Sequence, residues 1–402
     1  MDPLRAQYEA FPYPERDPAD EARRLVVGSP SALFEIDHYL FGGRRDWRRP
    51  FRALVAGGGT GDGLIQLAQQ LKDAGCPAEI VYLDLSQAAR RIAEARAAAR
   101  GLSGMTFLTG DLCDPPPGPF DYVDCCGVLH HLPDPAAGLA ALAGVLSPGG
   151  GMGIMVYAPH GRTGVYPLQQ AFAALMGEDP PAERVALARQ ALAALPPTNW
   201  FLRNPHLSDH QASDAGLHDL LLNARDRPFE IGELVAMADA AGLGLVSLTE
   251  PGRYDPARML PDTPAFRERL ARLGPLERLA LGERLAGDIR MHVAYLAPAA
   301  RAGTAMARPT PQAVPRLNGL PAAALARTVA ARGEIAISYG EITHRIAVPA
   351  AAAPLIARIG AGRSLGAIAG AAGLDWFGFM ALWGPVHRGL TGFNRLHYTT
   401  VP

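Results

Sequence analysis

From residue 51 onward the chain alternates short, unbroken apolar runs with longer stretches of helical periodicity. FRALVAG is apolar and ends in glycine, and after a glycine-rich turn GLIQLAQQLKDAG spaces its apolar residues three and four apart, as one face of a helix requires. EIVYLDLS then precedes the Ala/Arg helix QAARRIAEARAAARG, and MTFLTGD, FDYVDCCGVL and GMGIMVYA are further apolar runs bounded by Gly, Pro or Asp. Such runs predict buried strands, and five of them separated by helices predict a parallel sheet with helices on both faces.

Between residues 159 and 229 the pattern becomes helical and proline-interrupted, which predicts a helical cap inserted after the fifth strand. The helix EIGELVAMADAAG follows, and GLVSLTEP and IRMHVAYLAP read as the last two strands of the same sheet. The predicted organisation is therefore an α/β domain over residues 50–298, built on a Rossmann-like, seven-stranded sheet with the insertion at 159–229. Residues 1–49, with AFPYPERDP and the helical SPSALFEIDHYLF, read as a cap or lid. A Pro/Ala/Arg stretch gives residues 299–315 the composition of a linker. Residues 316–402 read as a small α+β, winged-helix-like accessory domain, with a hairpin turning at Tyr339-Gly340, three helices and a final strand NRLHYTT.

Composition narrows the function. At 402 residues the chain is too long for one ordinary domain, and 49% hydrophobic against 19% charged residues excludes a disordered protein. With 38 Lys+Arg and 39 Asp+Glu the net charge is -1, so no overall field draws the chain to nucleic acid or an anionic membrane. The arginines of the C-terminal domain are scattered and its longest helix, DWFGFMALWGPVHRGL, is mostly apolar, which suits a protein interface better than a DNA groove. Neither a basic-then-apolar leader nor a run of 18 apolar residues is present, and Cys76, Cys113, Cys125 and Cys126 form neither a disulfide framework nor a CxxC pair. A soluble, cytoplasmic protein is expected. Asp209, His210, Asp214, His218 and Asp219 lack metal-ligand spacing, so no metal site is expected.

The most informative segment is Gly57-Gly58-Gly59-Thr60-Gly61-Asp62, where the first strand runs into a helix through a Gly-x-Gly-x-Gly turn. Glycines let a ligand approach the backbone, and a helix N-terminus offers unpaired N–H groups. Asp84 ends the next strand, where a carboxylate can accept both hydroxyls of a ribose. A dinucleotide enzyme would share these two features. The third departs from it: strand three ends in Gly110-Asp111-Leu112, an acid placed to accept from an adenine amino group.

These elements, followed in order by FDYVDCCGVLHHL and LSPGG, resemble the class I S-adenosylmethionine-dependent methyltransferases over about Phe51 to Pro298. The resemblance implies S-adenosyl-L-methionine as cofactor, held by Gly57, Gly58, Gly59, Thr60, Gly61, Asp62, Asp84, Leu85, Gly110, Asp111, Leu112, Cys126 and Gly127. One position departs from the pattern. The family often has an acid two residues before the first glycine, where this chain has Val55, so the polar contact to the methionine end is expected from Asp62 or the N-terminal segment.

A narrower similarity links Gln7 to Pro14, Ile36 to Gly43, and Gly216 to Asn223 through Asp226-Arg227 with bacterial protein-lysine methyltransferases of the rickettsial outer-membrane-protein type. It implies a protein or peptide substrate, lysine first. A small-molecule acceptor is the alternative, and a cofactor-binding regulator a third reading; a homodimer is left open. An amine acceptor must lose its proton before attack. Tyr13, His130, Tyr157 and Asp219 are the expected catalytic residues, with His38, Tyr166 and His218 further candidates by position. The His130-His131 pair is open to a bland role as well, capping the strand or covering the adenine side.

Overall fold

The computed structural model describes residues 3–177, 179–339 and 342–400. The apolar runs are strands: β1 (Phe51–Ala56), β2 (Ala78–Asp84), β3 (Met105–Thr109), β4 (Phe120–Cys126), β5 (Leu146–Tyr157), β6 (Leu243–Leu248) and β7 (Met291–Pro298). They make a seven-stranded sheet in the order β3-β2-β1-β4-β5-β7-β6, with β1, β2, β3, β4 and β5 paired parallel to their neighbours. Ala53 and Leu54, adjacent in β1 and so on opposite faces, are both fully buried. Cover on both faces is why these strands read as continuous apolar runs rather than alternating ones.

The helices of the sheet region start at visible signals. After α1 (Pro3–Ala10) and α2 (Leu33–Leu40), α3 (Asp62–Asp73) begins at Gly61, whose φ of 101° few other residues adopt cheaply. The Ser86 side chain accepts from Ala89 N–H at the start of α4 (Gln87–Ala99), and Asp134 does the same for Ala137 in α5 (Pro135–Gly144). The LSPGG segment, whose Pro and Gly residues suggest a turn, is the first part of β5. A register shift between Phe120 and Tyr122 lets it pair, and a side chain at Gly150 would meet Phe120 O at 2.8 Å.

The inserted region contains α6 (Val165–Met176), α7 (Pro181–Ala194), α8 (Asp209–Ala212) and α9 (Asp214–Leu221), and no strand among the described residues. Val165, Leu168, Phe172, Leu217 and Leu220 bury one another in a core of their own. After it, α10 (Ile231–Ala240) leads into β6.

The chain divides into two compact units: residues up to Ala32 with Trp47–Leu243 and Glu283–Val293, and Leu33–Asp46 with Gly244–Gly282 and the residues from Ala294 on. This changes three expected boundaries. The segment 1–49 is not one cap, because α2 belongs to the second unit. There Glu35 accepts from Tyr295 Oη at 2.9 Å and from Asn394 Nδ2 at 2.7 Å, and the Tyr398 N–H donates to His38 Nδ1 at 3.0 Å, all buried. Residues 299–315 are not a free linker: Ala299–Ala305 is helical, and Ala302, Ala305, Ala307 and Ala313 are buried. Small apolar side chains serve the core here, where composition alone reads as flexible. The C-terminal residues 316–402, finally, share a unit with residues 33–46 and 244–282 rather than standing alone.

Within that unit β8 (Val314–Leu317) pairs with β11 (Leu396–Thr399), and β9 (Glu334–Tyr339) with β10 (Ile342–Ala347), antiparallel in both cases. The expected turn at Tyr339-Gly340 falls partly outside the described residues, since Gly340 is not among them. Leu355, Ile356, Leu365, Ile368, Phe379 and Trp383 are buried in one core, while Phe377 is 86% exposed. No single helix among the described residues is long and apolar enough to cross a membrane.

Candidate active site

A cavity of about 260 Å³ lies across the carboxyl ends of β1, β2, β4 and β5, the place where open α/β sheets bind ligands. Its floor is the turn after β1. Gly57 and Gly59 have φ of 71° and 51°, and a Cβ at Gly59 would fall 2.8 Å from Tyr13 O, so only glycine lets the loop and the N-terminal segment approach this closely. Asp84 closes the β2 side. Its Oδ2 accepts from Gly59 N–H and its Oδ1 from Ser86 N–H, both at 2.8 Å, which fixes the carboxylate while each oxygen keeps a lone pair. Burial raises its pKa against those bonds.

The β5 side is lined by Tyr157 and, from α9, Asp219, with Tyr8 and Tyr13 above. Tyr8 Oη donates to Asp219 Oδ1 at 3.0 Å, Tyr157 Oη to Oδ2 at 3.3 Å, and Asn223 Nδ2 to Oδ1 at 3.2 Å. Burial raises the Asp219 pKa above the ordinary carboxylate value. Burial likewise keeps both tyrosines protonated, their pKa values well above 10.

The N-terminal segment is fastened over this cavity by polar contacts. Glu9 accepts from the Gln87 and Ala88 N–H groups at 2.6 and 3.1 Å, at the N-terminus of α4 where a carboxylate is favoured. Thr60 Oγ1 donates to Pro14 O at 2.6 Å. Arg16 grips Asp62 through Nε at 2.9 Å and Nη2 at 2.7 Å, and the buried Arg96 ties Asp62 to Glu21.

Most of the expected residues meet here. Gly57, Gly58, Gly59, Asp62, Asp84, Leu85, Gly110, Leu112, Cys126 and Gly127 line the cavity, with Tyr13, Tyr157 and Asp219. Four do not. Thr60 is fully buried and serves Pro14, and Gly61 starts α3. Asp111 is exposed and accepts from Cys113 N–H at 2.8 Å, stabilising its own turn. His130 is fully buried behind Tyr157, ring centres 4.1 Å apart, and burial lowers its pKa so that it stays neutral. The short 3-10 turn Leu129–His131 puts His131 in the wall in its place.

His38, Tyr166 and His218 do not line the cavity either: His38 is buried in the second unit, Tyr166 accepts from Arg162 Nε, and His218 stacks on Phe11. His130, His131 and Asp226 bring donor atoms within 4.8 Å of one another. Asp226, however, already accepts from Arg162 at 2.8 Å and Gln169 at 3.0 Å, and that guanidinium repels a second cation.

Sequence reading missed Tyr8, His131 and Asp124 as site residues. Tyr8 stood in a segment recognised as similar to known enzymes, and His131 beside the histidine chosen. Asp124 was visible as one of two acids in the apolar strand FDYVDCC, the one nearer its carboxyl end.

A methyltransferase domain model matches residues 54–152. An uncharacterized protein of Synechococcus is 31% identical over 306 residues, which are 71% of this chain and 69% of that one. The ubiquinone biosynthesis O-methyltransferase of Ralstonia nicotianae is 32% identical over 127 residues, 30% of this chain and 52% of that enzyme. Among solved structures, PKMT2 from Rickettsia typhi superimposes with a TM-score of 0.61 at 14% identity, covering 92% of this chain and 75% of its own; it has also been solved in complex with AdoHcy. The chain belongs to the class I S-adenosylmethionine-dependent methyltransferases. It is an enzyme of that class, and S-adenosylmethionine is its cofactor. The residues present fit that molecule: a glycine loop without side chains, a fixed carboxylate at Asp84 for a diol, and an apolar wall at Leu85 and Leu112.

Proposed function

We propose that this enzyme methylates an amine of a protein or peptide, lysine first. The observation that carries the reading is Asp219, a buried carboxylate held by the Tyr8 and Tyr157 hydroxyls in the cavity wall. A carboxylate among aromatic rings suits an incoming ammonium through charge and cation–π attraction together. S-adenosylmethionine, when bound, supplies an activated methyl group. The protein then has to present a neutral nitrogen in line and exclude water. Asp219 takes the proton from the entering ammonium, and its raised pKa makes it the better base. Tyr8, Tyr13 and Tyr157 cover the same space with apolar surface, which favours the neutral amine.

The similarity to PKMT2 speaks at 14% identity for the fold alone. Its weight here is that the likeness extends over nearly the whole chain, whereas the ubiquinone O-methyltransferase match spans only 30% of it. A phenolic metabolite is therefore the second reading. All four cysteines are free thiols, in keeping with a reducing cytoplasm.

The test is to incubate purified enzyme and methyl-labelled cofactor with a cell lysate, then hydrolyse the protein fraction and identify the labelled residue. Methyl-lysine is expected, and Asp219→Asn should lower transfer about 100-fold or more with cofactor affinity unchanged. Label confined to small molecules would overturn the reading.

A further inference from the structure

S-adenosylmethionine carries an ammonium on its methionine end, and an ammonium taken into a buried cavity needs a carboxylate partner. Four carboxylates line the cavity: Asp62, Asp84, Asp124 and Asp219. Asp62 is bound by two arginines, through Arg16 on both oxygens and through Arg96 on Oδ1. Asp84 sits on the β2 side, fixed by two backbone N–H groups. Asp219 is at the other end, held by the tyrosines.

Asp124 differs from all three. It is 2% exposed, forms no ion pair among the described residues, and accepts one hydrogen bond, at Oδ2 from the Ser31 hydroxyl. An unpaired carboxylate this deep is costly unless a ligand compensates it. Its place is informative too, because Asp124 in β4 is the register partner of Val55 in β1, the position where the family often has its acid. The pocket around it is built closely: a Cβ at Gly63 would fall 2.7 Å from Ser31 Oγ and 3.4 Å from Asp124 Oδ2.

We propose that Asp124 receives the methionine ammonium of the cofactor, the acid having moved from β1 to the adjacent strand, with Ser31 as the residue that positions it. Along the cavity this orders the ribose acceptor on β2, the glycine loop on β1, the ammonium acceptor on β4 and the acceptor-substrate groups beside β5. The inference rests on the cofactor and is independent of the lysine reading.

Calorimetry on the full-length protein tests it with two ligands, S-adenosylhomocysteine and 5′-methylthioadenosine, which keeps the nucleoside and thioether but lacks the amino-acid end. Asp124→Asn should weaken the first about 10-fold or more and leave the second within about two-fold, since a hydrogen bond to a charged group is at stake in only one. Asp84→Ala should weaken both. Equal losses for both ligands in Asp124→Asn, or no loss in either, would overturn the proposal. A measurement on the unmodified protein covers the case in which that variant does not fold: the desamino analogue of S-adenosylhomocysteine should bind about 10-fold or more weakly than S-adenosylhomocysteine, and equal affinity would overturn the proposal as well.

Discussion

The cavity wall and the buried polar cluster around α2 are made from the same materials, carboxylates, tyrosines and histidines, and they use them in opposite ways. Around α2, Glu35 takes hydrogen bonds on both oxygens, from Tyr295 and Asn394, and Asn394 in turn accepts from Tyr39 at 3.1 Å and lies 2.7 Å from His397 Nε2. In the cavity wall Asp124 has a single hydroxyl partner among the described residues, Ser31. Linking buried polar groups to one another makes a core that specifies one arrangement. Leaving a carboxylate facing a cavity stores interaction for a ligand, at some cost to the folded state.

Breaking the closed cluster should give the largest effect on stability. Glu35→Ala removes two hydrogen bonds to a charged group, from the Tyr295 hydroxyl and the Asn394 amide, each worth about 1.5–3 kcal/mol, so unfolding in denaturant should shift by about 3 kcal/mol. Cofactor affinity measured by calorimetry should not change. If it falls with stability, the two regions do not differ in the way described.

Breaking the open wall should spare stability and reduce chemistry. Tyr8→Phe removes a donor to Asp219 while keeping the ring, and the transfer rate should fall about 10-fold with the melting temperature within a degree or two. An unchanged rate would show that Tyr8 only packs.

The smallest effect is a pH dependence that sharpens the comparison. Burial raises the Asp124 pKa to about 6, the Ser31 hydroxyl opposing. An ammonium needs the ionised form, so its contribution is present above pH 6 and is lost as pH falls through about 6. Of the groups beside it, burial holds the Cys125 and Cys126 thiols protonated. Burial works against ionised Asp62, but Arg16 and Arg96 outweigh it and keep its pKa low. Asp84 and Asp219 also have raised pKa values, and so the informative quantity is a ratio. Between pH 7 and 5.5 the affinity for S-adenosylhomocysteine relative to 5′-methylthioadenosine should fall several-fold; a flat ratio would count against Asp124.

What the sequence determined by itself was local and periodic. Apolar runs marked all seven strands, most continuously central ones such as β1 and β4, because a strand covered on both faces leaves no polar side to alternate, and the glycine loop with Asp84 was legible because adjacent elements in a βαβ unit are adjacent in space. Tyr13, Tyr157 and Asp219 could be named as candidates, yet nothing local said that Tyr8, more than two hundred residues from Asp219, would donate to it. Tertiary structure alone decided three matters. It chose His131 over His130, because a 3-10 turn turns one ring into the cavity and the other into the core. It spent Asp111 on its own turn. It also occupied Asp62 with two arginines, Arg16 and Arg96, which come from segments distant in sequence, and left Asp124 with the Ser31 hydroxyl and no ion pair among the described residues. A charge reveals its role through the partners it has or lacks, and partners brought together by long-range packing leave no periodic trace along the chain.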